Sequence, residues 1–241
     1  MNQSDAMRLD ISVFNEDNPT EHQMKLLFGC GIMYGLRGSN EHTELEVRNI
    51  IRGVFTEEHP CTGMEYYGIE GLVDKTHKLD INTDHVRENS DHMRLPVMDN
   101  DPTSACLSGS IKRFLDKLAP GQTRIYCKVI PEHVRNSPGK FHGQFFYPNS
   151  PLGRNTILKV FKAGAVILGL PNPEIFSPHS LRAYFVTSLA NDSGVSDQER
   201  MSASRHSSVA ASTINQVRNN TSEINRFSAL GINIPPVQMA M

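Results

Sequence analysis

No apolar run in the 241-residue chain approaches the roughly 20 residues needed to span a bilayer. The polar start MNQSDAMRLD lacks the basic and apolar regions of a signal peptide, so neither membrane insertion nor secretion is expected. Cysteine is sparse. Cys30, Cys61, Cys106 and Cys127 are widely spaced and form no CxxC pair, which suggests neither a disulfide framework nor a zinc site and fits a reducing, intracellular compartment. The sequons at Asn2, Asn191, Asn219 and Asn220 then read as chance matches, because glycosylation needs a secretory route. A Walker A lysine, an HExxH pair and a GxSxG elbow are all missing, and the ten histidines are scattered, so no cofactor and no metal are expected.

What is present is the composition of an ordinary soluble globular chain, 38% apolar and 21% charged. The formal net charge of −2 hides a division along the sequence. The first hundred residues carry 18 acidic against nine basic side chains, whereas residues 101–241 hold 15 basic against eight acidic, with most of the excess between Lys112 and Arg182. One face can therefore be positive on a slightly acidic molecule.

Thr20 is a plausible N-cap, and Met24, Leu26, Leu27 and Ile32 follow at helical spacings, which predicts a helix over about 20–34 ending in the turn YGLRG. Gly29, Gly31 and Gly35 fall inside or at the end of that helix, so they do not make a phosphate loop between a strand and a helix. The β-branched run IIRGVF, the stretch EYYGIEGLV reaching Lys75, and MRLPVM predict three short strands, the last at an edge because of Pro96. A helix opened by Asp101-Pro102 runs through ACLSGSIKRFLDKLA, and RIYCKVI and QFFY are strand-like among loops that include PNSP. Another helix spans Arg154 to Leu170, and three more cover about 179–192, 197–204 and 208–220. The expected fold class is α+β, mainly α, with a small antiparallel sheet near the N-terminal third.

The most informative local pattern is His179-Ser180-Leu181-Arg182. Preceded by FSP and followed by AYFVTSLA, it starts a helix with His179 and Arg182 on one face, at a helix N-terminus that already favours an anion. Arg205-His206-Ser207-Ser208 offers a further donor between two helical stretches. Taken alone, an HxxR pair can equally cap or bridge a neighbouring segment.

Several boxes together resemble the catalytic domain of tyrosine recombinases of the phage integrase type. YGLRGSNEHTELEVRNI looks like the family's first arginine box, and GLVDKTHKLD through MRLPV is similar to its lysine hairpin and following strand. FSPHSLRAYFVTSLANDSGVSDQERMSASRHSSVAASTINQ resembles its H-x-x-R box and the later histidine box that leads to the nucleophile. The likeness runs from about residue 20 to residue 220, leaving 1–19 as an extension and 221–241 as a tail. The Arg-His pairing at 205–206 looks more like eukaryotic Crypton-type recombinases and their domesticated relatives, at the C-termini of some MYM-type zinc-finger and glutamine-rich proteins, than like bacterial integrases.

The resemblance implies binding of double-stranded DNA in the nucleus, with a possible homo-oligomer and no membrane or cofactor. It makes Arg37 and Arg182 the pair that grips the non-bridging oxygens of the scissile phosphate, a task that suits guanidiniums better than ammonium groups. His179 and His206 would hydrogen-bond the phosphate or assist proton transfer, and Lys75, or alternatively Lys78, would protonate the leaving oxygen. At the family's nucleophile position, nine residues after His206, stands Asn215, which cannot form the covalent intermediate. Tyr184 is the nearest tyrosine in sequence, and its helix position should turn it toward the core, while Tyr126 and Tyr147 are farther away. Only 36 residues precede Arg37, too few for the family's usual core-binding domain. A degenerate DNA-binding domain is therefore expected, with a protein-interaction module, or an active recombinase whose nucleophile lies elsewhere, as the alternatives.

Overall fold

A computed structural model of the chain describes residues 10–36, 38–56, 59–70, 94–98 and 106–191. Helix α1, Pro19–Met33, begins at Asn18 rather than Thr20: the Asn18 side chain accepts from the Thr20 and Glu21 amides, and Pro19 occupies the first turn, where its missing N–H costs nothing. No residue of α1 is exposed. Polar side chains of the helix, His22, Gln23 and Lys25, are buried along with Leu26, Leu27 and Phe28.

Burial on all sides requires neighbours on all sides. Helices α3 (Leu107–Leu115), α5 (Arg154–Ile167) and α6 (Pro178–Asn191) pack around α1. Phe28 stacks flat on Phe161 of α5, with ring centroids 4.4 Å apart. A short helix that the sequence pattern did not announce, α2 (Gly38–Glu44), follows the turn after α1. It packs on α5 and α6.

Strands β1 (Ile50–Val54), β2 (Glu65–Ile69) and β3 (Arg94–Pro96) form the expected antiparallel sheet in the order β1-β2-β3. Ile50 pairs with Ile69 and Tyr66 with Pro96, and Pro96 sits on the edge strand, as its missing donor demands. A second sheet pairs β4 (Cys127–Val129) with β5 (Phe146–Pro151). Strand β5 thus runs through the PNSP stretch, expected to be loop; in a two-stranded ribbon each proline can turn its nitrogen to the unpaired edge. The intervening segment, expected to be loop throughout, contains the one-turn helix α4 (Glu132–Arg135).

Helix α5 ends at Ile167, a turn short of the expected Leu170, and Asn172 then takes a left-handed conformation before the 3-10 turn Pro173–Ile175. Residues 101–105, where the α3 segment was expected to open, lie outside the described residues, as do the helices expected at 197–204 and 208–220. No helix among the described residues is long and apolar enough to cross a membrane.

One half-buried carboxylate ties the N-terminal segment to α1 and α3. Glu16 lies 2.8 Å from the fully buried Lys25 ammonium, accepts two bonds from Arg113 at 2.5 and 2.9 Å, and stands 3.7 Å from the His22 ring. Lys117 donates to its backbone carbonyl at 2.6 Å. Burial pushes the Glu16 carboxyl up, but the bonds from Arg113 and Lys25 outweigh it and hold the group at about 2. Burial is also the largest influence on His22; with the Lys117 charge it overcomes the pull of Glu16 and leaves the imidazole at about 4.

Both shifts favour the folded state at neutral pH and lose that advantage in acid. His22 contributes fully above its ordinary 6.5 and loses its contribution as pH falls to about 4, because only the unfolded chain takes up the proton in that window. Glu16 does the same between its ordinary 4.5 and about 2. Urea denaturation at a series of pH values should show stability declining from near pH 6.5 downward. His22→Gln should flatten the upper part of that decline and leave the lower part.

Candidate phosphate-binding site

The site is assembled where α1 ends. Tyr34 closes the helix with a backbone bond to the Cys30 carbonyl, and Gly35 then turns the chain at φ 60°, a left-handed conformation suited to glycine. The same residue needs its missing side chain for packing, because a Cβ there would lie 2.6 Å from the Phe185 ring of α6. One turn earlier, a Cβ on Gly31 would lie 2.5 Å from the Leu181 side chain. These glycines let α6 approach α1 closely, which is a packing role and not that of a phosphate loop.

Close approach brings Arg182 to the turn. Its Nη1 donates to the Gly35 carbonyl at 2.8 Å across 147 residues of sequence, and the residue is only 5% exposed. Two chain positions beyond that carbonyl comes Arg37, which itself lies outside the described residues. The HSLR and YGLRG segments are thus in direct contact, through the Arg182 side chain and the Gly35 carbonyl. This contact is also the capping role that an isolated HxxR pair can play.

His179 stands on the first turn of α6 and is exposed. It shares a face with Arg182 only in part, since three residues on a helix differ by about 60° in direction; one side chain stays at the rim while the other turns inward. Around it the helix start is fixed by Ser177 and Ser180: the Ser180 amide donates to the Ser177 carbonyl at 2.8 Å, and the Ser177 amide to the Ser180 hydroxyl at 3.3 Å. The remaining first-turn N–H groups of α6 make this end of the helix favourable for an anion.

The three-stranded sheet is anchored to the same turn. Tyr34 donates its hydroxyl to the Tyr67 carbonyl of β2 at 3.0 Å, and both rings are buried. Lys75 and Lys78 belong to the chain joining β2 to its antiparallel partner β3, and lie outside the described residues. His206 and Asn215 lie outside them too. Tyr184 is half-buried against the core, as its helix position suggested, and Tyr126 is buried within it. Tyr147 is half-buried, edge-on to Phe141 at 4.9 Å.

The basic stretch from Lys112 to Arg182 divides in two. Lys112 pairs with Glu65 at 2.6 Å, Arg113 with Glu16, and Arg124 with Glu46 at 3.5 Å, so acids of the first hundred residues neutralise its leading part. Among the described residues no carboxylate forms an ion pair with Lys128, Arg135, Lys140, Arg154, Lys159 or Lys162. Sequence reasoning treated the stretch as one positive face; pairing across the core leaves only its later part available.

Two features of the site were not foreseen: the Gly35 carbonyl as the partner of Arg182, and Tyr34 as the link to the sheet. The YGLRG turn was the available signal, since a tyrosine and a left-handed glycine directly before an arginine mark a tightly specified chain reversal. No family model and no curated protein matches the chain.

Arg182→Ala removes the donor to Gly35, and the expected loss is about 1–3 kcal/mol of stability, as for other buried hydrogen bonds lost from one side. Arg182→Lys should recover part of it, because one ammonium can replace one N–H donor but not the planar fork. Chemical denaturation of the two variants beside the parent protein checks both.

Proposed function

We propose that this domain binds duplex DNA through the phosphate backbone, as a recombinase-type domain that has lost its nucleophile. The single observation that carries the reading is the bond from Arg182 to the Gly35 carbonyl, which joins the two arginine boxes of the sequence at one turn. Arg37 and Arg182 would hold the non-bridging oxygens of one phosphate, with exposed His179 at the positive end of α6 and His206 adding hydrogen bonds. Lys75 or Lys78 would reach the same phosphate from the β2–β3 connection. Asn215 cannot serve as a nucleophile, so the expected activity is binding without strand cleavage. Backbone contacts position a protein without reading sequence, which leaves target choice to other residues.

The burial of Arg182 on a protein carbonyl favours one second reading, a protein-interaction module in which the old arginine pair has become structural. Fluorescence anisotropy on a random-sequence duplex over a salt series separates the two. Binding should weaken steeply as salt rises, with a slope near one per phosphate contacted. Arg37→Gln combined with His179→Asn should cost about tenfold or more in affinity, the usual value of hydrogen bonds to a charged group. Absence of binding at low salt, by protein shown to be folded, would favour the interaction module.

A further inference from the structure

Between β4 and β5 the chain leaves the body of the molecule and returns to the point where it left. Its ends are joined by the Ile130 amide donating to the Phe145 carbonyl at 2.9 Å, and its middle by the Gly143 amide donating to the Arg135 carbonyl at 2.9 Å. Inside it, α4 and the bonds from the His142 amide to the Gly139 carbonyl and from the Gln144 amide to the Phe141 carbonyl add local turns. Segment 130–145 is therefore a structured projection with its own internal bonding, of the Ω-loop type.

Its charged side chains are mostly basic. Lys128, His133, Lys140 and His142 are exposed, and Glu132 is the one carboxylate between positions 128 and 147. The Arg135 guanidinium lies 5.3 Å from the centre of the Phe145 ring, and Lys117 reaches the same ring at 5.6 Å from the turn after α3. Lys140 lies 5.4 Å from the centre of Phe141, whose ring is held edge-on by Tyr147. An aromatic face attracts a cation without neutralising it and leaves its outward N–H groups to bond elsewhere. It also restricts the long side chain in advance, which lowers the cost of ordering it on a ligand.

We propose that this projection, through Arg135 and Lys140, together with Lys128 of β4 at its base, is a second grip on the backbone of duplex DNA, separate from the phosphate site at Gly35 and Arg182. The inference rests on the DNA reading given above and extends it to a second stretch of the same duplex. Charge complementarity fixes the class of partner: three cations with no carboxylate ion pair among the described residues, two of them (Arg135 and Lys140) held on different rings, suit a line of phosphates better than one small anion. Position supports a separate contact. Lys117 links the Phe145 ring to His22 near the start of α1, its ammonium 3.3 Å from the imidazole, whereas Gly35 lies just past the other end. At 1.5 Å per residue these two ends are about 20 Å apart, more than half a turn of duplex and too far for one phosphate.

The test uses the full chain and a random-sequence duplex in the same anisotropy assay. Lys128→Gln/Arg135→Gln/Lys140→Gln is expected to lower the slope of log affinity against log salt by about 2–3 and to weaken binding at least tenfold at low salt. Lys128→Glu/Lys140→Glu, altering only exposed side chains, should weaken it further with thermal unfolding unchanged. If the parent protein binds and both variants bind like it, the projection is not a DNA contact and the phosphate site stands alone. If the triple variant keeps duplex binding but loses binding to a polyglutamate probe, the projection belongs to an acidic protein partner and the proposal is overturned. Failure of the parent protein to bind duplex at low salt overturns the DNA reading and this inference together.

Discussion

Helix α1 has no solvent face, and that constraint organises the molecule. From Pro19 to Met33 every residue is at least partly covered, so α3, α5 and α6 must each present an apolar stripe to it, and the three-stranded sheet is tied to its end through Tyr34. Glycines set how close those neighbours come. Gly29 faces Leu107 of α3, Gly31 faces Leu181 of α6 and Gly164 of α5 faces Phe28, so side chains of one helix fill space left by another. The turn that leaves this helix is held from two directions, by Arg182 and by the sheet, and its rigidity follows from the packing behind it.

A helix buried all round must also bury what its sequence contains. Lys25 and His22 are fully buried, His22 as a neutral imidazole, and an unpaired ammonium at Lys25 would be strongly destabilising. Glu16 answers the need, with Arg113 completing the cluster, while His22 donates from Nε2, its nitrogen nearest Glu16, to the Ser110 carbonyl at 3.1 Å. The acidic N-terminal portion and the basic portion after Lys112 are thus matched internally, and the charge division along the chain is partly a folding device. Within the basic portion, Lys128, Arg135, Lys140, Arg154, Lys159 and Lys162 form no ion pair with a carboxylate among the described residues.

Much of the fold was legible because its signals are local. The β-branched run IIRGVF and the similar stretch EYYGI, the proline of β3, the periodicity of α5 and the FSP that precedes α6 each identify an element from its own residues. Helix α2 was not legible: seven residues, GSNEHTE, carry no apolar stripe, and its helicity depends on packing against α5 and α6. Strand β5 was truncated in the reading because two prolines ordinarily end a strand, a rule that relaxes on the open side of a two-stranded ribbon. Thr20 is also a cap-forming residue type, though a weaker one than Asn18, and the geometry places the cap at Asn18. The arginines were recognisable as boxes in the sequence, but that Arg182 turns inward to a carbonyl is a tertiary fact, decided by the glycines on α1 rather than by its own neighbours.

If the two arginine boxes form one phosphate site, their effects on DNA affinity must depend on each other. A double-mutant cycle tests this most directly, measuring duplex affinity for the parent protein, Arg37→Gln, Arg182→Lys and the combination at one low salt concentration. Each single change should weaken binding, and the double should be weaker than the parent by distinctly less than the two losses added, with a coupling of about 0.5–3 kcal/mol. Strictly additive losses, or no loss from either change in folded protein, would contradict a shared phosphate.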